Sequence, residues 1–384
     1  LSGDIYRYVW DAHVFTSGIN PYLYPPEDPA LAHLRDDAIF PEVGLPWLPT
    51  PYFPLAQAFF GGAYLLVPDS VTMIKIGLAA ADLAAIALLL VLTSRLGRSP
   101  AWVALYAWHP LLLIEVAHSG HVDGLLLPLM VLAMGAAALL RKPGWTGLCL
   151  GLAVLIKPYA LFLAPAFWQR WDWRLPAVLA GTVLAGLLAF GGPGGQWLWD
   201  GTVFGSAPYL AAHASFNPGS IWAVVGWLAT AAGIEPGTAV RAAGLALLGA
   251  AGLWVIVFAP DLSQYPDGAA RMAGLARRGW ILAAAFWLST QQMHPWYLLL
   301  GLPLLAFYAP RWAVAFSGLI MLSYLNYHFD PWRLPLWVRT LEYLPVYLLL
   351  AWELPQMLRR RGAGLETSLP SLRGSPLPEG GLKP

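Results

Sequence analysis

Asp4, Arg7, Tyr8 and Asp11 lie in the stretch Asp4-Ile5-Tyr6-Arg7-Tyr8-Val9-Trp10-Asp11, at positions i, i+3, i+4 and i+7. On a helix these positions share one face, so two carboxylates, a guanidinium and a phenol form one polar stripe. Such a stripe suits proton transfer. A carboxylate within hydrogen-bond reach of an acceptor hydroxyl acts as a general base, and a nearby arginine limits how far partial burial raises its pKa. Asp4 is the first candidate base and Asp11 the second, with Tyr8 beside them as a substrate contact. Solvation and complementation of a helix dipole are the competing structural roles for both carboxylates.

Further groups with chemistry recur along the chain. His118 and His121, with Asp123, sit in the turn His118-Ser119-Gly120-His121-Val122-Asp123. Three ligand types in six residues are weak grounds for a metal, so the expectation is substrate contact with no metal, or polar capping of the helix that follows. Lys157 lies between two apolar runs, where a lone ammonium is costly and usually faces a ligand path. A phosphate is the partner that a point cation fits best, and Tyr159 adjoins it. Gln292, His294 and Tyr297 belong to Gln291-Gln292-Met293-His294-Pro295-Trp296-Tyr297, where proline breaks an apolar run and leaves polar groups to bind a sugar or phosphate. Asn217 in Phe216-Asn217-Pro218 is a further substrate contact, and Arg333, near His328 and Asp330, a further phosphate ligand. Asp82, within an apolar run, reads as a structural polar contact.

The elements that must position these groups are set by composition. Hydrophobic residues make up 58% of the 384-residue chain and charged residues 11%. A soluble domain carries roughly a quarter charged, so an all-α polytopic membrane protein is expected. The net charge of +1 provides no field for nucleic acid. Cys149 is the single cysteine, which rules out an intrachain disulfide. The 20 tryptophans suit bilayer interfaces.

Apolar runs predict about 11 spanning helices, several short enough to be broken or tilted around a cavity. The basic connections are Arg95/Arg98, Arg141/Lys142, Arg170/Arg174, Arg271/Arg277/Arg278, Arg311 and Arg359 to Arg361. They fall on one, cytoplasmic, side if 145–156 and 158–168 are two short arms turning at Lys157-Pro158 and if 54–67 and 221–233 do not cross. The polar motifs then collect on the opposite face, as a site built between helices requires. The expected organisation is a transmembrane domain over 1–357, with a first extracytoplasmic loop at 1–70 carrying interfacial helices and a second at 192–238. Residues 358–384, rich in Gly, Pro and Ser, read as a disordered cytoplasmic tail. The start Leu1-Ser2-Gly3, without Met or signal-peptide pattern, reads as a truncated beginning that lacks a first spanning helix.

These residues resemble those of the C-type (GT-C) membrane glycosyltransferases, in particular bacterial polyprenyl-phosphate-mannose-dependent mannosyltransferases. The resemblance runs through Gly3 to Asp11, Gly18-Ile19-Asn20-Pro21-Tyr22, Thr50-Pro51-Tyr52-Phe53-Pro54-Leu55-Ala56-Gln57, Trp108-His109-Pro110-Leu111, Glu115, His118 to Asp123, Ile156-Lys157-Pro158 and His294-Pro295-Trp296-Tyr297. It implies a GT-C-like bundle in the bacterial cytoplasmic membrane with its active site on the extracytoplasmic face. It also implies a hexose, mannose above others, moved from a polyprenyl-phosphate sugar to a glycan or glycolipid acceptor. Asp4 then matches the acidic residue of the first external loop. Many relatives pair two acidic residues at this point, where Gly3 precedes Asp4 here.

Transfer from a glycosyl phosphate needs a base for the acceptor hydroxyl and cations or donors for the departing phosphate. Asp4 fills the first role, and Lys157, Arg7 or Arg333 the second. The phosphate leaves already carrying charge, so neither cofactor nor metal is required in principle, and a single carboxylate acting as base implies inversion at the sugar. A transporter or flippase of a lipid-linked sugar is the alternative from another class. It would use the same cavity and cations without a base.

Overall fold

The computed structural model describes residues 2–191, 220–290, 293–329 and 334–359. Within them the chain forms helices and, among the described residues, no strand. The first helix, α1 (Gly3–Thr16), is started by Ser2, whose hydroxyl accepts from the Asp4 amide at 3.3 Å. Asp4 in its first turn complements the helix dipole. Gly18, at φ +80°, turns the chain out of the helix.

α1 buries Ile5, Tyr8, Val9 and Trp10, each contributing roughly 1.5–3 kcal/mol from burial. It lies against α2 (Pro54–Leu66), which starts on a proline whose missing N–H costs nothing at that position. Tyr8 stacks flat on Phe60 of α2, with ring centroids 4.5 Å apart, and meets Tyr52 edge-on at 4.9 Å. The connection between the two helices is tied down by Tyr22, whose hydroxyl donates to the Tyr52 carbonyl at 2.7 Å.

Among the described residues, three helices are long and apolar enough to cross a membrane: α3 (Val71–Arg95), Val122–Leu140 and Pro236–Gln264. The pieces Pro100–Ala107 and Pro110–His118, bent by 47° where Pro110 interrupts the ladder, make a fourth if they form one broken span. With five shorter apolar helices of 10–17 residues, this is a helical membrane protein. The expected count of about 11 spans is not reached among the described residues. The apolar runs are there, but proline, 3-10 and π turns divide them into pieces shorter than a bilayer.

α3 sets the distance between two chemically different ends. Near its start, a Cβ at Gly120 would lie 3.7 Å from Lys75 Cγ. Past its end, a Cβ at Gly268 would meet Leu96 Cδ2 at 2.9 Å and the Ala138 carbonyl at 3.4 Å. Twenty-five residues at ~1.5 Å rise separate the two places by about 37 Å.

The far end is held by arginines bonded to the last carbonyls of helices. Arg271 donates to Ala138 O at 2.6 Å, Arg278 to Ala166 O and Trp168 O, and Arg170 to Ile256 O and Ala259 O at 2.7 and 2.6 Å. Helix C-termini leave such acceptors unsatisfied, and cations there also suit the dipole. One expectation is corrected at this end. Arg271, Arg277 and Arg278 are not in a loop between spans but lie buried on a continuous helix, Gly268–Ser289, where carbonyls accept from Arg271 and Arg278 and the Arg277 guanidinium lies 5.9 Å from the centre of the Tyr308 ring.

Candidate active site

The near end gathers segments from across the chain. After the bent pair, the turn from Leu113 to His118 widens to π geometry and aims Glu115 inward. Ser119-Gly120 then reverses the chain. Gly120 sits at φ +78°, and a Cβ there would come within 2.5 Å of Ile5 Cδ1, so only glycine allows α1 to approach this turn. Lys157 stands on extended backbone between the short helices Pro143–Val154 and Pro158–Leu163.

A pocket of about 440 Å³ opens here, lined by Ser2, Gly3, Ile114, His118, Ser119, His121, Trp296, Tyr324 and Tyr327. Its volume fits a sugar-sized ligand, and its aromatic walls suit the apolar face of a pyranose ring. Asp4 stands beside it with its side chain 39% exposed and Oδ2 3.6 Å from Nδ1 of His121. Nε2 of His121 lies 3.3 Å from Glu115 Oε2. The rings of His121 and His294 both lie flat on Trp296, with centroids 4.0 and 4.2 Å away.

Behind this row, buried Asp123 accepts from the Tyr159 hydroxyl and faces Lys157 Nζ at 3.5 Å. The ammonium also sits 5.2 Å from the centre of the Tyr52 ring. Tyr297 packs beside Tyr159, with centroids 5.2 Å apart. His118 is exposed on the pocket wall.

Burial alone would raise the Asp4 carboxyl. The hydrogen-bonding and positive charge of His121, with Lys157 and His294 behind it, outweigh burial and hold the pKa below the usual carboxylate value. Burial drives the His294 imidazole down to about 3, against the pull of Asp4. It is therefore a neutral hydrogen-bonding group near pH 7. Tyr8 and Tyr52 are pushed well up, first by burial and then by Asp4, and both remain neutral phenols.

Several sequence expectations change here. Asp11 and Arg7 form a buried pair at 2.7 Å away from the pocket wall. Arg7 donates to Leu45 O and Leu48 O at 3.2 and 2.7 Å, while Asp11 accepts from Gln57 Nε2 at 3.3 Å. The guanidinium is thus spent on the 45–48 loop and not open to a phosphate, and Asp11 serves as its counter-ion. The basic side chains nearest Asp4 are His121, Lys157 and His294, not Arg7. Tyr8 is buried, its hydroxyl accepting from the Val122 amide at 3.3 Å, so it braces the turn instead of facing a ligand. Asp123 and Tyr159 likewise support Lys157 from behind.

Asp4, His118, His121, Lys157, His294 and Tyr297 do converge at this end. Asn217, Gln292 and Arg333 lie outside the described residues. Among the described residues no group of three or more His, Cys, Asp or Glu side chains is arranged to hold a metal ion; Asp123 turns to Lys157 and not to the two histidines.

Glu115, Trp296, Tyr324 and Tyr327 were not singled out as site residues. A carboxylate within the run 101–117 was the available signal for Glu115, since a charge in apolar surroundings demands partners. Tyr324 and Tyr327 had no signal beyond their type.

Residues 1–172 match the family model described as alpha-(1->6)-mannopyranosyltransferase, N-terminal domain. No curated protein and no solved structure matches the chain. The matched span holds Asp4, Glu115, His118, His121, Asp123 and Lys157, and the match supports a mannosyltransferase, which makes the protein a glycosyltransferase.

Proposed function

We propose that the protein transfers mannose from a polyprenyl-phosphate sugar to a glycan or glycolipid acceptor at the extracytoplasmic face of a bacterial cytoplasmic membrane, with Asp4 as general base. The observation that supports this most is the meeting, at one end of the bundle, of an accessible carboxylate, a half-buried lysine and an aromatic-walled pocket from segments over 150 residues apart. The arginines at the other end, about 37 Å away along α3, agree with the rule that basic connections stay inside. The transmembrane domain then covers 1–357.

In the transfer, Asp4 takes the proton of the acceptor hydroxyl as the acceptor oxygen bonds to the anomeric carbon. The bond from that carbon to the phosphate oxygen breaks, and its electron pair leaves on the phosphate. Lys157, held by Asp123 and Tyr159 beside the apolar body of the protein, faces the phosphate as a point cation. The lipid chain reaches the site from the bilayer, so the phosphate arrives without the sugar leaving the interface.

Asp4→Asn keeps size and hydrogen bonding but removes the base. In reconstituted vesicles supplied with polyprenyl-phosphate mannose and acceptor, its kcat is expected to fall about 10²–10⁴-fold, with KM little changed. Wild-type turnover in this variant would overturn Asp4 as the base, and a flippase would give no transfer to the acceptor even with Asp4 in place.

A further inference from the structure

We propose that the pocket of about 440 Å³ is the acceptor subsite, holding the uncharged sugar at the end of the acceptor, and that a stack of His121, Trp296 and His294 walls it off from the donor phosphate at Lys157. This rests on the reading of Asp4 as base and Lys157 as phosphate ligand, and it adds the place of the second substrate.

The two imidazoles lie nearly parallel to the Trp296 indole, at 17° and 7°, with centroids 4.0 and 4.2 Å away. Carbon atoms in contact keep about 3.5–4.0 Å apart, so two rings so close to the indole centre would collide on one face. They lie on opposite faces, and the indole is sandwiched. His121 and Trp296 line the pocket, whereas His294 is not among the lining residues. His294 instead meets Tyr297 edge-on at 5.5 Å, and Tyr297 packs on Tyr159, which with Asp123 supports Lys157. One side of the stack therefore belongs to the pocket and the other to the lysine.

The pocket wall suits a neutral sugar. Among its described lining residues there is no lysine or arginine, so a phosphate there would lack the point cation or guanidinium fork that recognises it. Hydroxyls of Ser2, Ser119 and Tyr327 and the exposed His118 imidazole offer hydrogen bonds to sugar hydroxyls. Tyr324 donates to Glu115 at 2.7 and 2.9 Å, which fixes its ring as a wall, and Tyr327 lies 6.2 Å from it at 23° with 68% of its surface exposed.

The direction of attack gives the same assignment. In a displacement at the anomeric carbon the incoming oxygen and the departing phosphate lie on opposite faces of the sugar. With the phosphate at Lys157, the acceptor and its base must stand on the other side. Asp4 occupies that border: Ser2 and Gly3, directly before it, line the pocket, and His121 on the same wall lies 3.6 Å from its Oδ2. Because Trp296, Tyr324 and Tyr327 lie beyond residue 172, the choice of acceptor depends on the second half of the chain as well as the first.

The test uses the full chain in vesicles, with polyprenyl-phosphate mannose as donor and octyl mannoside as acceptor. In His118→Ala and Tyr327→Ala the KM for octyl mannoside should rise about tenfold, while the KM for the donor stays within twofold. In a Cys149→Ala background, octyl mannoside should slow maleimide labelling of His118→Cys about tenfold at saturation, and the donor alone should change it less than twofold.

A raised donor KM with an unmoved acceptor KM would make the pocket a donor site and overturn the proposal. Two unmoved KM values, or labelling slowed by the donor alone and not by octyl mannoside, would overturn it as well. Labelling needs no turnover, so it decides the subsite even where a variant is inactive. Retained turnover in Asp4→Asn, with octyl mannoside still protecting His118→Cys, would overturn the base assignment alone.

Discussion

Asp4 and His294 are perturbed in the same direction for different reasons, and both make the protein acid-sensitive. Asp4 is held low because positive groups overcome burial. Its stabilising contribution is present above the ordinary carboxylate value and fades as the pH falls through the lower value of the folded state. His294 is held low by burial, and a base depressed on folding stabilises above its ordinary value of 6.5 and loses that contribution as the pH falls toward about 3. Thermal unfolding in detergent should therefore show a midpoint that drops between pH 7 and pH 5. In His294→Gln that slope should flatten. A slope unchanged in the variant would place the sensitivity elsewhere. Lys157 and Asp123 belong to the same scale. Asp123→Asn leaves the lysine without its buried counter-ion and should destabilise the fold by about 3 kcal/mol, read as a lowered thermal midpoint, with donor binding weakened as Lys157 loses its aim.

Among the elements, the turn after the π segment is the tightest constraint on the site. Gly120 adopts a left-handed conformation and lies where a Cβ would collide with Ile5 of α1. Gly120→Ala should cost about 2–3 kcal/mol from backbone strain and displaced packing together, and it should lower kcat more than KM, since it moves α1 and Asp4 away from His121. A folded variant with normal turnover would show that α1 need not lie so close. The stripe on α1 also divides at this scale. Asp4 looks to His121, whereas Arg7 and Asp11 anchor the 45–57 segment, so Asp11→Asn should lower stability before it lowers the chemical rate.

For the whole molecule, the separation of a polar end from an arginine-rich end gives a prediction about sidedness. In a Cys149→Ala background, Ser17→Cys lies on the side of the site and Lys142→Cys on the side of the arginines; both positions are exposed. A membrane-impermeant maleimide applied to intact cells should label the first, and the second only after the membrane is opened. Labelling of Lys142→Cys alone in intact cells would invert the proposed orientation. The family match over residues 1–172 identifies the enzyme class, while the second wall of the pocket, Trp296, Tyr324 and Tyr327, comes from beyond that span.

The sequence by itself determined the membrane class and the all-helical fold. Composition and the spacing of apolar runs depend on solvent partition, which each residue carries with it wherever the chain goes. It also showed that Asp4, His118, His121, Lys157 and His294 were costly to leave without a task, since a polar group beside hydrocarbon needs one. Only the tertiary structure decided which of them meet. Arg7, read as a phosphate ligand, turned into a loop anchor because the Leu45 and Leu48 carbonyls lie within its reach. Where the apolar runs break was likewise left to the structure, because proline and π turns bend helices by amounts that hydropathy does not record. Glu115 became a partner of His121 through a turn that no periodicity marks. Pairing of charges depends on distances of a few ångströms between segments far apart in the chain, and those distances exist only once the helices are in contact.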